Sequence, residues 1–247
     1  MTPRDRLIVA LDTSSLEHAT RLACLLQHDA GAFKVGLEAV HACGFKLLNG
    51  RGVASPRRIF YDCKLHDIPN TVAAAASAIV SHGVWMMNVH AAGGQRMMEA
   101  AVTAVRARAE ELAVPRPLVI AVTLLTSLDP RELAVEMRVD ASVTDYVVHM
   151  ARQAQSAGCD GVVCSPREVA SVRIACGPGF LLITPGVRPA WAERNDQRRT
   201  LTPGEAIHAG ADFIVVGRPI TGSSDPQACC REIVREIAAA SEDGSSP

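Results

Sequence analysis

The densest gathering of chemically capable side chains is the run DCKLHDIPNT, from Asp62 to Thr71. An acid, a lysine and a second acid stand at Asp62, Lys64 and Asp67. Carboxylates beside a lysine hold it charged, and a charged lysine fixed in a site can donate a proton or stabilise developing negative charge. The residues from Ile59 to Leu65 (IFYDCKL) read as a strand. Alternation then sends Asp62 and Lys64 to one face and Cys63 to the other. Pro69 suits the first turn of a following helix. An isolated Asp-x-Lys would be read as a structural salt bridge, but two acids and a lysine at one strand end favour chemistry. Asp12, after LIVAL, and Lys34, within FKVGL, extend the alternation of sign. Either alone would be a satisfied rim charge. Together with Asp62, Lys64 and Asp67 they make an acid–base array on the first three strands.

A second group lies late in the chain. TPGVR (Thr184 to Arg188) and VGRPI (Val216 to Ile220) each end a strand-like run. Glycine leaves backbone N–H groups accessible, and the forked guanidinium of arginine matches phosphate oxygens. Gly-Arg pairs are mostly structural, so their placement decides the reading. They follow the seventh and eighth runs, where barrel enzymes commonly hold phosphate.

Those runs are the elements that must position the chemistry. They are LIVALD (Leu7 to Asp12), FKVGL (Phe33 to Leu37), IFYDCKL, VWMMNVHAA (Val84 to Ala92), PLVIAVTLL (Pro117 to Leu125), GVVCS (Gly161 to Ser165), LLITPGV (Leu181 to Val187) and FIVVG (Phe213 to Gly217). Between them lie stretches of helical period, with Leu16, Ala19, Ala23 and Leu26 on one face and Val72, Ala75, Ala76 and Ile79 on another. Strands alternating with helices imply parallel pairing and right-handed crossovers. Eight such units predict a closed (β/α)₈ TIM barrel, with an open doubly wound sheet as the alternative. No composition shift marks a second domain, so residues 1–247 are expected to form one. The polar loop from Arg188 to Glu205 is long for a βα connection and has the character of a lid.

Composition narrows the function classes. The 247 residues carry a net charge of −1 with no basic run, which leaves nucleic-acid or membrane-surface binding little support. No apolar stretch approaches the length of a membrane span. The start, MTPRDRLIVALD, reaches an acidic residue too soon for a secretory signal, so a cytoplasmic location is expected. The eight cysteines form no CxxC pair or Cys/His ligand set. They are expected to be reduced thiols that fill small core spaces, with no metal and no redox role.

Taken together, ALD (Ala10 to Asp12), FKVG (Phe33 to Gly36), YDCKLHDIPNT, NVHAAGG (Asn88 to Gly94), AVTLLTS (Ala121 to Ser127), TPGVR, NDQ (Asn195 to Gln197) and VVGRPIT resemble the orotidine 5′-phosphate decarboxylases. The resemblance spans nearly the whole chain, and DxKxxDIPN is its most specific string. It implies conversion of orotidine 5′-phosphate to UMP and CO₂ in pyrimidine biosynthesis, with no cofactor. On that resemblance Lys64 is the acid that protonates C6 of the pyrimidine, and Asp62 and Asp67 complete the charges around it. Asp12 and Lys34 match a ribose-binding pair, and Thr126 and Ser127 match contacts to the pyrimidine. Arg188, Gln197, Gly217 and Arg218 match the phosphate side, with Gln197 carried on the lid. Asp67 and Thr71 are expected to cross a homodimer interface into the neighbouring site.

Two other readings compete. Sugar-phosphate relatives on the same barrel, such as hexulose-phosphate synthases, also resemble Asp-x-Lys-x-x-Asp but need a divalent metal and lack the joint IPN, LTS and PGVR strings. A non-catalytic phosphate-binding barrel would have no use for a buried proton donor such as Lys64.

Overall fold

Eight short strands close on themselves in chain order, each parallel to its neighbours, in the computed structural model, which describes residues 1–48, 58–192 and 201–243. They are β1 (Leu7–Ala10), β2 (Ala32–Val35), β3 (Ile59–Leu65), β4 (Met86–His90), β5 (Leu118–Val122), β6 (Gly161–Val163), β7 (Leu181–Pro185) and β8 (Phe213–Val216). Closure comes from β8 pairing with β1, Leu7 opposite Ile214 and Val9 opposite Val216. The result is a (β/α)₈ barrel, and all eight apolar runs read in the sequence supply its staves.

Strand alternation divides the buried residues into two layers. Ile8, Ala10, Ala32, Phe60, Met86, Ile120, Ile183, Phe213 and Val215 point inward and fill the barrel. Leu7, Val9, Phe33, Val35, Tyr61 and Cys63 point outward and pack against the helices. Because the interior is solid with side chains, polar groups gather at its ends. At β6 there is no room even for a methyl group: a Cβ on Gly161 would run into the backbone carbonyl of Leu181 on β7.

The helices are α1 (Leu16–Leu26), α2 (Leu37–Cys43), α3 (Pro69–Val80), α4 (Gln95–Glu111), α5 (Pro130–Val135), α6 (Val143–Ser156), α7 (Val169–Cys176), α8 (Pro203–His208), α9 (Arg218–Thr221) and α10 (Pro226–Asp243). Their starts are chemically marked. The Ser15 hydroxyl accepts from His18 N to open α1, and capping boxes pair Asp129 with Glu132 and Thr202 with Glu205. Pro69 stands at the first position of α3, as expected. On α1 the buried stripe is Ala19, Leu22, Ala23 and Leu26. Leu16 is instead exposed, because it lies in the first turn above the rim of the sheet. On α3, Val80 joins Val72, Ala76 and Ile79 in the core, and Ala75 is only half-buried.

Charges at the N-terminal end of the barrel serve the fold. Asp160 takes both arms of Arg116, at 2.9 and 2.5 Å, and also accepts from Val119 N. Asp212 takes Arg173 at 2.6 Å and accepts from Leu182 N. Arg58 donates to the carbonyls of Gln27, Ala30 and Gly31 and ties the start of β3 to the α1–β2 turn. Trp85, just before β4, lies edge-on to Phe213 on this floor, with ring centroids 5.2 Å apart. The other tryptophan, Trp191, is exposed beyond the end of β7.

All eight cysteines are free, and Cys63, Cys159, Cys164, Cys176 and Cys230 are buried. Burial pushes the thiols of Cys159, Cys164 and Cys230 up to about 12, which suits inert packing groups. Among the described residues no helix is long and apolar enough to cross a membrane.

Candidate active site

The opposite end of the barrel carries a continuous chain of alternating charge. Lys34, on the inward face of β2, gives its ammonium to Asp12 Oδ1 at 2.9 Å and to Asp62 Oδ2 at 3.2 Å. The other oxygen of Asp62 receives Lys64 Nζ at 2.7 Å. Asp12, Lys34, Asp62 and Lys64 are therefore brought together as the sequence implied. Gly36 makes the close fit possible, since a Cβ there would lie 2.9 Å from Lys34 Nζ.

Lys64 does not reach its place by simple strand alternation. Tyr61 pairs with Met87 and Leu65 with Val89, so Asp62, Cys63 and Lys64 together stand opposite the single residue Asn88. The ladder is bulged, and Lys64 takes a left-handed backbone with φ of 48°. Such a conformation in a non-glycine residue is costly and persists where surroundings enforce it. Asn88 enforces it here. Its side-chain oxygen accepts from Lys64 N at 2.7 Å, and its amide donates to Asp62 Oδ1 at 2.7 Å. Sequence reading passed over Asn88 as a site residue. The available signal was one fully polar side chain inside the apolar run WMMNV.

Electrostatics fix the protonation states. Burial pushes the Asp62 carboxyl up, but the ammonium groups of Lys34 and Lys64, with their hydrogen bonds and that of Asn88, win and hold it below the usual carboxylate range. Burial likewise pulls Lys34 down, yet Asp62 and Asp12 raise it above the ordinary lysine value. Both groups stay ionised at neutral pH. His90, at the end of β4, stacks on His66 with centroids 5.4 Å apart. Burial, then His66 and Lys64, lower its pKa, so it is neutral there.

The charges open onto a cavity of about 170 Å³ walled by Phe60, Val122, Leu124, Ile183, Pro185 and Val215. Lys34, Asp62, Lys64 and Thr126 line it too. An apolar cavity with ionised groups among its lining can take an apolar body and hold a charged or polar substituent beside those groups. Ser127 lies next to Thr126, exposed, in an adjoining groove. On the other side of the mouth, Gly217 caps α9, where a Cβ would lie 3.5 Å from Ala10 Cβ and 3.9 Å from Asp12 Oδ2, while Arg218 opens that helix, exposed. Arg188 is buried after β7, its backbone N–H on Leu201 O. Gln197 and the centre of the expected lid lie outside the described residues. The last part of the Arg188 to Glu205 loop is α8 rather than coil.

Asp67 and Thr71 stand outside this charge chain. Asp67 is exposed between β3 and α3, where it accepts from Ile68 N at 2.6 Å. Thr71 is exposed on the first turn of α3, and Ile68 between them is 66% exposed.

A family model described as orotidine 5′-phosphate decarboxylase / HUMPS family matches residues 5–233. The chain belongs to that family. Among its relatives is the orotidine 5′-phosphate decarboxylase of Moorella thermoacetica, 50% identical, with 96% of this chain and 94% of the relative covered. That of Syntrophomonas wolfei is 45% identical, over 96% and 99% of the two chains. The crystal structure of orotidine 5′-phosphate decarboxylase from Lactobacillus acidophilus is similar with a TM-score of 0.77 and 36% identity, covering 94% of this chain and 98% of that one.

Proposed function

We propose that the chain decarboxylates orotidine 5′-phosphate to UMP and CO₂, with Lys64 as the acid that protonates C6. The observation that carries this reading is the unbroken order Asp12, Lys34, Asp62, Lys64, of which the last three line an apolar cavity. Loss of CO₂ leaves the electron pair of the broken bond in an sp² orbital at C6, which no neighbouring carbonyl delocalises. The developing charge must be met by a cation already in place. Lys64 Nζ supplies that cation and then the proton, and is reprotonated from solvent. Asp62, kept ionised by two lysines, would repel the substrate carboxylate and lose that repulsion as CO₂ departs. Arg188, Gly217, Arg218 and Gln197 would take the phosphate, whose binding energy is available to organise the site.

The reaction is read as needing neither metal nor organic cofactor. Asp12 and Asp62 are each held by an ammonium group, so a divalent cation would have to displace Lys34 or Lys64. The active form is read as a cytoplasmic homodimer in which Asp67 and Thr71 enter the partner's site. Their exposure beside Ile68, just past the end of β3, supports that role. The test follows the absorbance of orotidine 5′-phosphate after addition of purified protein dialysed against EDTA. Loss of the substrate absorbance is expected at an undiminished rate. Activity that returns only with Mg²⁺ would move the protein to the metal-dependent sugar-phosphate branch of the barrel.

A further inference from the structure

Asn88 is the only residue of β4 facing the bulge of β3, and it contacts all three bulged residues. Its amide nitrogen donates to Asp62 Oδ1, its side-chain oxygen accepts from Lys64 N, and its carbonyl accepts the thiol of Cys63 at 3.1 Å. It is fully buried, and its partner across β5 is the apolar Ile120. The amide is thus committed at both ends to residues of the proposed reaction. The left-handed turn at Lys64 removes the ordinary ladder bonds between Tyr61 and Leu65, and Asn88 replaces them.

We infer that Asn88 is a positioning residue for the decarboxylation: it holds the bulge that aims the Lys64 ammonium and fixes which oxygen of Asp62 that ammonium meets. The inference rests on the reading of Lys64 as the proton donor. Asn88 does not line the cavity, so it acts through Lys64 and Asp62 rather than on the substrate.

A near-isosteric change gives the sharpest test. In Asn88→Asp the new carboxyl would face Asp62 and Lys64 from β3 and Lys34 beyond them on β2, with His90 two residues further along β4. Burial and the ionised Asp62 disfavour its charged form, so it is protonated at lower pH and donates to Asp62 as the amide does. At higher pH it ionises, repels Asp62 and competes for Lys64. The ratio of variant to wild-type kcat should therefore fall as pH rises, and titrations common to both enzymes cancel in that ratio. Asn88→Ala, which can restore nothing at any pH, should lower kcat by at least ~10-fold with KM changed much less. Rates are referred to sites counted by UMP titration, so that loss of folded protein is not read as loss of turnover. A pH-independent ratio for Asn88→Asp, or a wild-type kcat per site for Asn88→Ala, would overturn the inference. So would failure of both variants to fold, which would make Asn88 a residue of barrel stability. Lys64→Ala run in parallel separates the two claims. If it keeps wild-type turnover the proton-donor reading fails, whereas an inactive Lys64→Ala beside unaffected Asn88 variants refutes Asn88 alone.

Discussion

Replacing Lys64 with alanine removes the ammonium that ends the charge chain and leaves the remainder standing. Asp62 keeps Lys34 at 3.2 Å and the Asn88 amide at 2.7 Å, so the carboxylate is not left bare. The Lys64 side chain is about one-third exposed, which limits what its loss costs the fold. Catalysis loses far more. An ammonium about 3 Å from a full negative charge at C6, at an effective dielectric of about 20, is worth about 5.5 kcal/mol. At ~1.4 kcal/mol per tenfold, that is about four powers of ten in rate, before the missing proton is counted. Turnover of Lys64→Ala should fall at least that far, while calorimetric titration with UMP gives an affinity within a few-fold of wild type. Lys64→Arg keeps the charge but replaces a compact ammonium with a planar fork that cannot occupy the same 2.7 Å contact, so it should rescue little. Turnover within tenfold of wild type in the alanine variant, with UMP binding intact, would refute both the electrostatic reasoning and the assignment of the acid.

Two further outcomes follow from the proposed site. Mixing inactive Lys64→Ala and Asp67→Ala with subunit exchange should restore activity if Asp67 works in trans. About half the dimers are mixed and half of their sites are whole, so about a quarter of wild-type activity returns; none returning, with exchange confirmed, would place Asp67 in its own subunit's site. Arg218→Ala should lose most of the preference for orotidine 5′-phosphate over orotidine, measured as a ratio of kcat/KM values, and an unchanged ratio would make Arg218 structural.

The barrel was legible because its signals are local and repeated. Eight apolar runs alternate with helical stretches, and inward positions such as Lys34 and Asp62 follow from a two-residue period. What the period could not supply was the break at Lys64. Alternation alone assigns Lys64 the same direction as Asp62, but the backbone reaches that end through a bulge three residues long opposite one. A bulge is decided by hydrogen bonds from a different strand, and Asn88 is 24 residues from Lys64 in the chain. The second helix between β5 and β6 was missed for the opposite reason, because its signals are local caps rather than distant bonds. Asp129 and Ser142 each cap a helix start there, whereas a scheme of one helix per strand leaves room for a single one. Length and polarity give the Arg188 to Glu205 segment the character of a lid loop, although its Thr202–Glu205 capping box marks a helix start by spacing.

The two tryptophans give the molecule a pair of optical probes at its two ends. Trp85 is half-buried on the floor, edge-on to Phe213 and remote from the charge chain, while Trp191 is 45% exposed beyond β7, on the side of the mouth that carries Arg188. With only two indoles in the sequence, single Trp→Phe replacements leave one emitter each. Emission from Trp191 then reports ligand arrival at the mouth, and emission from Trp85 reports unfolding of the barrel floor. Occupancy and integrity can therefore be read separately from one protein, without a label.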